Sequence, residues 1–440
     1  MTPKPEFQQF QTHIQTLVEA ALSAANPAVR VDQYLDHIQG LVDSARKCWV
    51  VGAGKASLEM ALALNDRLGP HLSGGAIAVV PERLSQLDQV RLDGLPFRLY
   101  PASHPLPTQQ NLQAARAIAG IANQAGEDDL LLVLISGGGS AHLALPVEGL
   151  TLSEYQAVTN QLMRAGANIG ELNAVRKHAE QLKGGGLLRL AAPARVYALI
   201  LSDVIGDSLS VIASGPVSAD PTTFEDAYSI LKKFKVEIPR VLLAHLEAGI
   251  RGERPETLKD NDPHLKLVDT AIIGNNLLAV EAVRAAAVQM GFYVMAVETC
   301  VEGEAREIGR HLGVLARRMK QSGELPGIAI LGGETTVTVR GNGLGGRNQE
   351  MALSAALAVD GLENVVVLSF ATDGIDGPTT AAGAYAGGNT IQRARDSGLD
   401  PHHYLSNNDS YAFFDQLGTL IKTGPTGTNV NDISLVIVFA

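Results

Sequence analysis

The sequence predicts an α/β protein: a doubly wound, mostly parallel sheet in the first half and a smaller α/β unit with a mixed sheet in the second. Three observations predict it. Short apolar runs at 130–135, 196–201 and 365–370 alternate with segments of helical periodicity, the pattern of buried parallel strands covered by helices. Each of these runs stops in a loop rich in Gly, Ser or Asp, where an open α/β sheet collects its ligands. The chain has 440 residues, 46% apolar, 18% charged and only 5% aromatic. That is more than one ordinary core holds, so two domains are expected, over 1–245 and 246–440.

In order, 6–45 reads as two helices, with Phe10, Ile14, Leu17 and Leu22 at helical spacing. A strand at 48–51 runs into Gly52-Ala53-Gly54-Lys55-Ala56-Ser57 and a helix at 58–68. Strands at 75–80 and 98–101 precede a helix at 110–124. The strand at 130–135 ends in Ser136-Gly137-Gly138-Gly139-Ser140, and 153–168 and 172–192 look helical, broken by Gly166 and by Gly184 to Gly186. The strand at 196–201 ends in Ser202-Asp203-Val204-Ile205-Gly206-Asp207. Residues 220–265 read as a polar, largely helical connector that holds the domain boundary. Beyond it, strands are expected at 270–273, 293–298, 328–331, 335–340, 365–370 and 433–439, with helices at 277–290, 304–321, from about 347, and 410–417.

A formal charge of −11 argues against a general nucleic-acid binder, yet local lysines and arginines can still hold a small anionic substrate. Cys48 and Cys300 are far apart and set no disulfide framework or metal-type spacing. The stretch MTPKPEFQQFQTH has no apolar core for a signal peptide, and no apolar run reaches membrane-span length. A cytoplasmic protein with small-molecule substrates and no nucleic-acid or membrane partner is expected; a homodimer is compatible with the sequence but not specified by it.

The residues that carry chemistry lie in the strand-end loops. Within 331–350, LGGETTVTVRGNGLGGRNQE, six glycines, Glu334 and two arginines precede a helix. A glycine loop opening a helix can aim unpaired N–H groups and the positive helix end at an anion. Arg347 and Asn348 would stand at that helix start, the arginine able to fork onto a carboxylate or phosphate. Gly52, Gly54 and Lys55 form a near miss of the dinucleotide fingerprint, because Ser57 stands where its third glycine belongs. Ser136, Gly137, Gly138, Gly139 and Ser140 make a turn of the kind that nests anions, with His142 behind it as a packing residue. Asp203 and Asp207, and in the second half Asp373 and Asp376, are carboxylates at strand ends suited to holding a divalent cation or accepting a proton. Lys183 precedes another glycine break, and 173–178, with Arg176, reads as a solvated basic helix face.

The order of these motifs resembles one family. VGAGKAS (51–57), ISGGGSA (135–141), LNAVRKH (172–178), LKGGG (182–186), SDVIGD (202–207) and IASGPVSADPTTFEDA (212–227) are similar to the N-terminal half of the type II, or MOFRL-type, glycerate 2-kinases. GGETTVTVRGNGLGGRNQE (332–350), ATDGIDGPT (371–379), NDSY (408–411) and TGPTGTNVND (423–432) are similar to their C-terminal MOFRL domain. The resemblance implies a Rossmann-like N-terminal domain and a smaller MOFRL domain facing a cleft. It implies transfer from ATP, with Mg2+, to the 2-hydroxyl of D-glycerate, and it singles out Lys55 and Arg347. Ser103 and Thr108 depart from the family pattern, where Gly and Asp are expected, and His142 replaces an aliphatic residue.

On this reading Lys55, Arg347 and Asp203 are catalytic. Asp203 and Asp207 hold the metal, with Asp203, Asp207 and Asp373 alternatives for ligand or base. Gly52, Gly54, Ser136 to Ser140, Lys183, Glu334, Asn348 and Asp373 bind substrate or nucleotide. The rival is an NAD(P)-dependent hydroxypyruvate reductase, which needs the full glycine fingerprint and an acidic ribose partner about twenty residues on; here the first such acid, Glu82, comes late.

Overall fold

The structure, a computed structural model, describes residues 5–85 and 92–440. They divide into two compact units, 27–273 and 1–26 with 274–440.

The first unit is built on β1 (Cys48–Ala53), β2 (Leu72–Val79), β3 (Arg98–Pro101), β4 (Leu130–Ile135), β5 (Arg195–Leu201) and β6 (Val268–Gly274), in the order β3-β2-β1-β4-β5-β6. All pairings from β3 to β5 are parallel. The chain moves outward from β1 to β3, then returns to lay β4 on the other side of β1. The strand order therefore reverses between β1 and β4, and their ends meet in register at Ala53 and Ile135. Such a switch point leaves a crevice beyond the strand ends. All six side chains of β4 are buried, each stabilising by about 1.5–3 kcal/mol relative to exposure.

Two stretches depart from the sequence reading. The strand expected beyond the boundary, at 270–273, is β6 and belongs to the first sheet. The connector is largely helical as expected, but it is packed rather than polar. Its helices Phe224–Lys233 and Arg240–Ile250 bury Phe224, Leu231, Leu242 and Leu246 against Leu152, Val158 and Leu162 in a second core cluster. Apolar residues on one face of each helix outweighed the proline-bearing stretch that follows.

The second unit carries β7 (Tyr293–Glu304), β8 (Gly327–Thr336), β9 (Val365–Ala371), β10 (Gly383–Gly387), β11 (Leu420–Ile421) and β12 (Asp432–Val438), ordered β11-β10-β9-β12-β8-β7. β12 runs antiparallel to both β8 and β9, while β7 and β8 are parallel, so the sheet is mixed as expected. β8 stops at Thr336, and the alternating stretch 337–340 is not strand. The amides of Arg340 and Gly341 donate to Asn408 Oδ1, at 2.7 and 3.0 Å, instead of to a ladder. The small-residue strand β10 and the helices Thr390–Asp396 and Pro401–Ser406 had no clear sequence signal.

Candidate active site

In the first unit the turns after β1 and β4 interlock. Lys55 N–H donates to Gly137 O (2.8 Å), Ser136 N–H to Ala53 O (3.0 Å) and Ala56 N–H to Ser136 Oγ (2.9 Å). Gly54, at φ +125°, is the close approach between them: a Cβ there would lie 2.2 Å from Ser136 Oγ. Its own N–H donates to buried His142 Nδ1 at 3.1 Å, and Ser57 Oγ donates to Gly54 O at 2.8 Å. The amides from Gly54 to Ser57 thus meet protein acceptors, and none is left for a pyrophosphate. Gly52 lies within β1 against Ile77 and Leu134, where it allows packing. His142 is buried as a packing residue, and burial holds its imidazole down at about 4, neutral at pH 7.

The turn after β4 is different. Gly139 N–H closes it by donating to Ser136 O at 3.1 Å, but the amides of Gly137, Gly138 and Ser140 have no acceptor among the described residues. Gly138, at φ +82°, sits under His104 and Lys55: a Cβ there would be 3.0 Å from His104 Cδ2 and 3.4 Å from Lys55 Cγ. Asp203, half-buried after β5, lies on the other side, with Oδ2 only 2.0 Å from where a Gly137 Cβ would be. Lys55, His104, Asp203 and a row of open amides therefore converge at the switch point. Partial desolvation of the His104 ring, then the charges of Lys55 and Arg176, push its pKa down to about 4. It is a neutral imidazole in cationic surroundings.

The loop that follows is strained. Asp207, Ala213 and Ser214 take left-handed φ of 52°, 49° and 61°, a conformation non-glycine residues hold only when their surroundings impose it. Ser214 Oγ bridges Ser140 Oγ (2.9 Å) and Asn173 Oδ1 (3.1 Å), so the Ser140 hydroxyl is committed to the frame. Lys183 is committed too: its ammonium is fully buried and ion-paired with Glu180. The stretch 173–178 is not a solvated face, since Asn173, Lys177 and His178 are buried and Lys177 pairs with Asp220 at 3.0 Å. Arg176 is the half-buried exception, with no ion pair among the described residues.

In the second unit, the helix Arg347–Ala358 starts where the sequence places it. Its N-terminus, however, already holds an anion. Asp376, 1% exposed, accepts from Asn348 N–H (3.1 Å), Gln349 N–H (2.9 Å) and Gln349 Nε2 (2.9 Å). Asn348 is fully buried, its carboxamide between Asp376 and Ser369. The first part of the glycine loop is likewise filled: Asn342 N–H donates to Asn407 Oδ1, Gly343 N–H to Asn407 O and Leu344 N–H to Asp409 Oδ1, while the amides of Gly345, Gly346 and Arg347 meet no acceptor among the described residues. The expectation of free amides here holds only for 345–347; from 340 to 344 the segment 407–409 supplies the acceptors, and at 348 and 349 Asp376 does. Asp373 caps its own turn, accepting from Ile375 N–H at 3.0 Å.

What remains presented is Arg347, its side chain 30% exposed. It forks onto Asp432, with Nε to Oδ2 at 2.5 Å and Nη2 to Oδ1 at 3.0 Å, and reaches Glu334 Oε1 with Nη1 at 2.6 Å. These carboxylates fix the guanidinium plane and hold it fully charged. Burial pushes the Asp432 carboxyl up to about 7 against the opposing pull of Arg347. Asp432 and Arg176 were both missed in the sequence; the one opens an apolar strand and the other stands in a basic helix, contexts that ordinarily mean structure.

Among the described residues no group of three or more His, Cys, Asp and Glu side chains is arranged to hold a metal ion, and no helix is long and apolar enough to cross a membrane. A switch-point crevice lined by a lysine, a carboxylate and open amides defines the class: an α/β enzyme built for an anionic substrate. The chain belongs to the glycerate kinase family. Residues 13–247 match the Domain of unknown function (DUF4147), and residues 327–432 match the MOFRL family. The chain is 41% identical to a D-glycerate 2-kinase of Thermotoga maritima over 88% of this chain and 90% of that one. It is similar to a crystal structure of glycerate kinase from Thermotoga maritima, with a TM-score of 0.89 and 37% identity, covering 98% of this chain and 100% of that one. A relative from Agrobacterium vitis, provisionally named a hydroxypyruvate reductase, is 38% identical over 97% of this chain and 94% of its own.

Proposed function

We propose that this chain transfers the terminal phosphoryl group of ATP to the 2-hydroxyl of D-glycerate, giving 2-phosphoglycerate and ADP. The observation that carries the reading within the first unit is the pairing of Lys55 and three open amides with Asp203. Phosphoryl transfer asks mainly for positioning and for neutralising charge on the transferred group. The amides of Gly137, Gly138 and Ser140 donate to phosphate oxygens, and Lys55 adds a full positive charge beside them. Asp203 accepts the proton of the substrate hydroxyl as its oxygen bonds to phosphorus and the bond to the ADP oxygen breaks. Neutral His104 donates or accepts a hydrogen bond without adding charge. Arg347, held flat by Asp432 and Glu334, binds an anionic oxygen of a substrate.

Mg2+, when bound with the nucleotide, spreads charge over the phosphates. Hydrated Mg2+ needs only one or two protein carboxylates; Asp203, half-buried beside the open turn, is the carboxylate that would hold it if the proton passes to another base, and Asp207 lies in the same loop. The roles of Gly52, Asn348, Lys183 and Asp373 in this reading are structural, since their geometry commits them to the frame.

The reductase reading needs amides free to cradle a pyrophosphate at the turn after β1, and those amides are filled. The experiment is product identification from ATP, Mg2+ and D-glycerate, with enolase to tell the 2-phosphate from the 3-phosphate. Direct conversion by enolase is expected. Oxidation of a nicotinamide cofactor with hydroxypyruvate, and no phosphoglycerate, would overturn the proposal.

A further inference from the structure

A cavity of about 390 Å³ opens beside the open turn, bounded by Gly138, Ser140 and Arg176 on its polar side. Its remaining walls are largely apolar and include Leu106, Tyr155, Met163, Ile169 and Leu172. Three of these are large apolar side chains left in solvent: Leu106 is 49% exposed, Met163 43% and Ile169 61%. Scattered exposed apolar residues need no explanation, but several converging on one concave site mark a ligand surface. A three-carbon hydroxy acid has no apolar face to offer them and would fill little of the space.

We propose that this cavity seats the base and ribose of the nucleotide, with Arg176 reaching its phosphates. The proposal rests on the kinase reading and assigns residues that reading leaves unused. A purine presents two flat apolar faces and a polar edge. Leu106, Met163 and Ile169 cover the faces, gaining what their exposure now forfeits. Asn160, also on the wall, has a carboxamide with no partner among the described residues and can pair with the base edge. Arg176 is a half-buried cation with no carboxylate partner among the described residues, on the same cavity as Gly138 and Ser140. A phosphate chain leaving the base toward those amides passes it. The helix Ile169–His178 thus presents Ile169 and Leu172 to the base and Arg176, one turn further on, to the phosphates.

Calorimetric titration of the full chain with ADP, adenosine and inorganic tripolyphosphate separates the two ends of the site. Met163→Glu and Ile169→Glu change exposed positions, and thermal melts confirm their folding. Each is expected to weaken ADP and adenosine at least about tenfold while leaving tripolyphosphate and D-glycerate within about twofold. Arg176→Ala is expected to weaken ADP and tripolyphosphate by about tenfold and to spare adenosine. Irradiation with 8-azido-ATP should label the segment 155–172. If the wild-type chain binds ADP and both glutamate variants bind it equally well, or the label falls elsewhere, the cavity is not the base site and the kinase reading stands. If the wild-type chain neither binds ADP nor makes phosphoglycerate, the kinase reading falls and this proposal with it.

Discussion

The turn Ser136 to Ser140 and the segment 341–349 are both rich in glycine, both precede a helix, and both look like anion cradles in the sequence. They differ in what their amides meet. At 341–344 and 348–349, Asn407, Asn408, Asp409 and Asp376 supply the acceptors, so a carboxylate of the protein itself sits at the positive helix end and only the amides of Gly345, Gly346 and Arg347 stay open. At 137–140 three amides meet no protein acceptor, and a lysine stands over them. A glycine turn can offer an anion only those amides to which the rest of the fold gives no internal acceptor. In the second unit the charge presented is that of one side chain, Arg347, which Asp432 and Glu334 hold in place.

The largest expected effects test the charged residue in each unit. Lys55→Ala and Arg347→Ala should each lower turnover by about 10³-fold or more while thermal melts stay near wild type; near-normal turnover in both would remove the roles proposed for these two residues. Next, the filled segment should respond in stability. Asp376→Ala leaves the amides of Asn348 and Gln349 without their acceptor in a buried setting and should cost about 3 kcal/mol in urea unfolding. A loss confined to activity would mean that Asp376 faces the substrate.

Identical glycine substitutions sharpen the contrast further. Gly137→Ala forces the Asp203 carboxylate aside, a movable side-chain end, and should lower turnover by about 30-fold with little change in stability. Gly346→Ala meets the Asp376 backbone carbonyl carbon at 2.5 Å as well as its side chain, and should lower stability first. Reversal of the two outcomes would invert the comparison.

The smallest effect concerns His142. Its pKa is about 4 in the folded chain against 6.5 ordinarily. The unfolded chain therefore takes up a proton, in the window between those values, that the folded chain refuses. Stability is complete well above the upper value and falls as pH drops, by about 1 kcal/mol over the first unit of pH below it. His142→Asn keeps an acceptor for the Gly54 amide and should flatten that slope in denaturant midpoints measured across the window.

The sequence by itself determined the two α/β halves, most strand positions, and the strand-end loops where Lys55, Asp203 and the Ser136–Ser140 turn lie. Apolar runs of strand length and glycine at strand ends are local signals, and the chain writes them locally. The order of motifs also carried the family. Only the tertiary structure decided which of those loops is open. Whether an amide is free depends on residues distant in the chain, such as Asp376 for Asn348 or His142 for Gly54. The same holds for Lys183, a site residue by its neighbouring glycines and a buried partner of Glu180 in the fold. It holds in reverse for Arg176, a surface cation by its helix and a cavity wall in fact. Local pattern sets where a backbone can bend; long-range packing sets what the bend is left to bind.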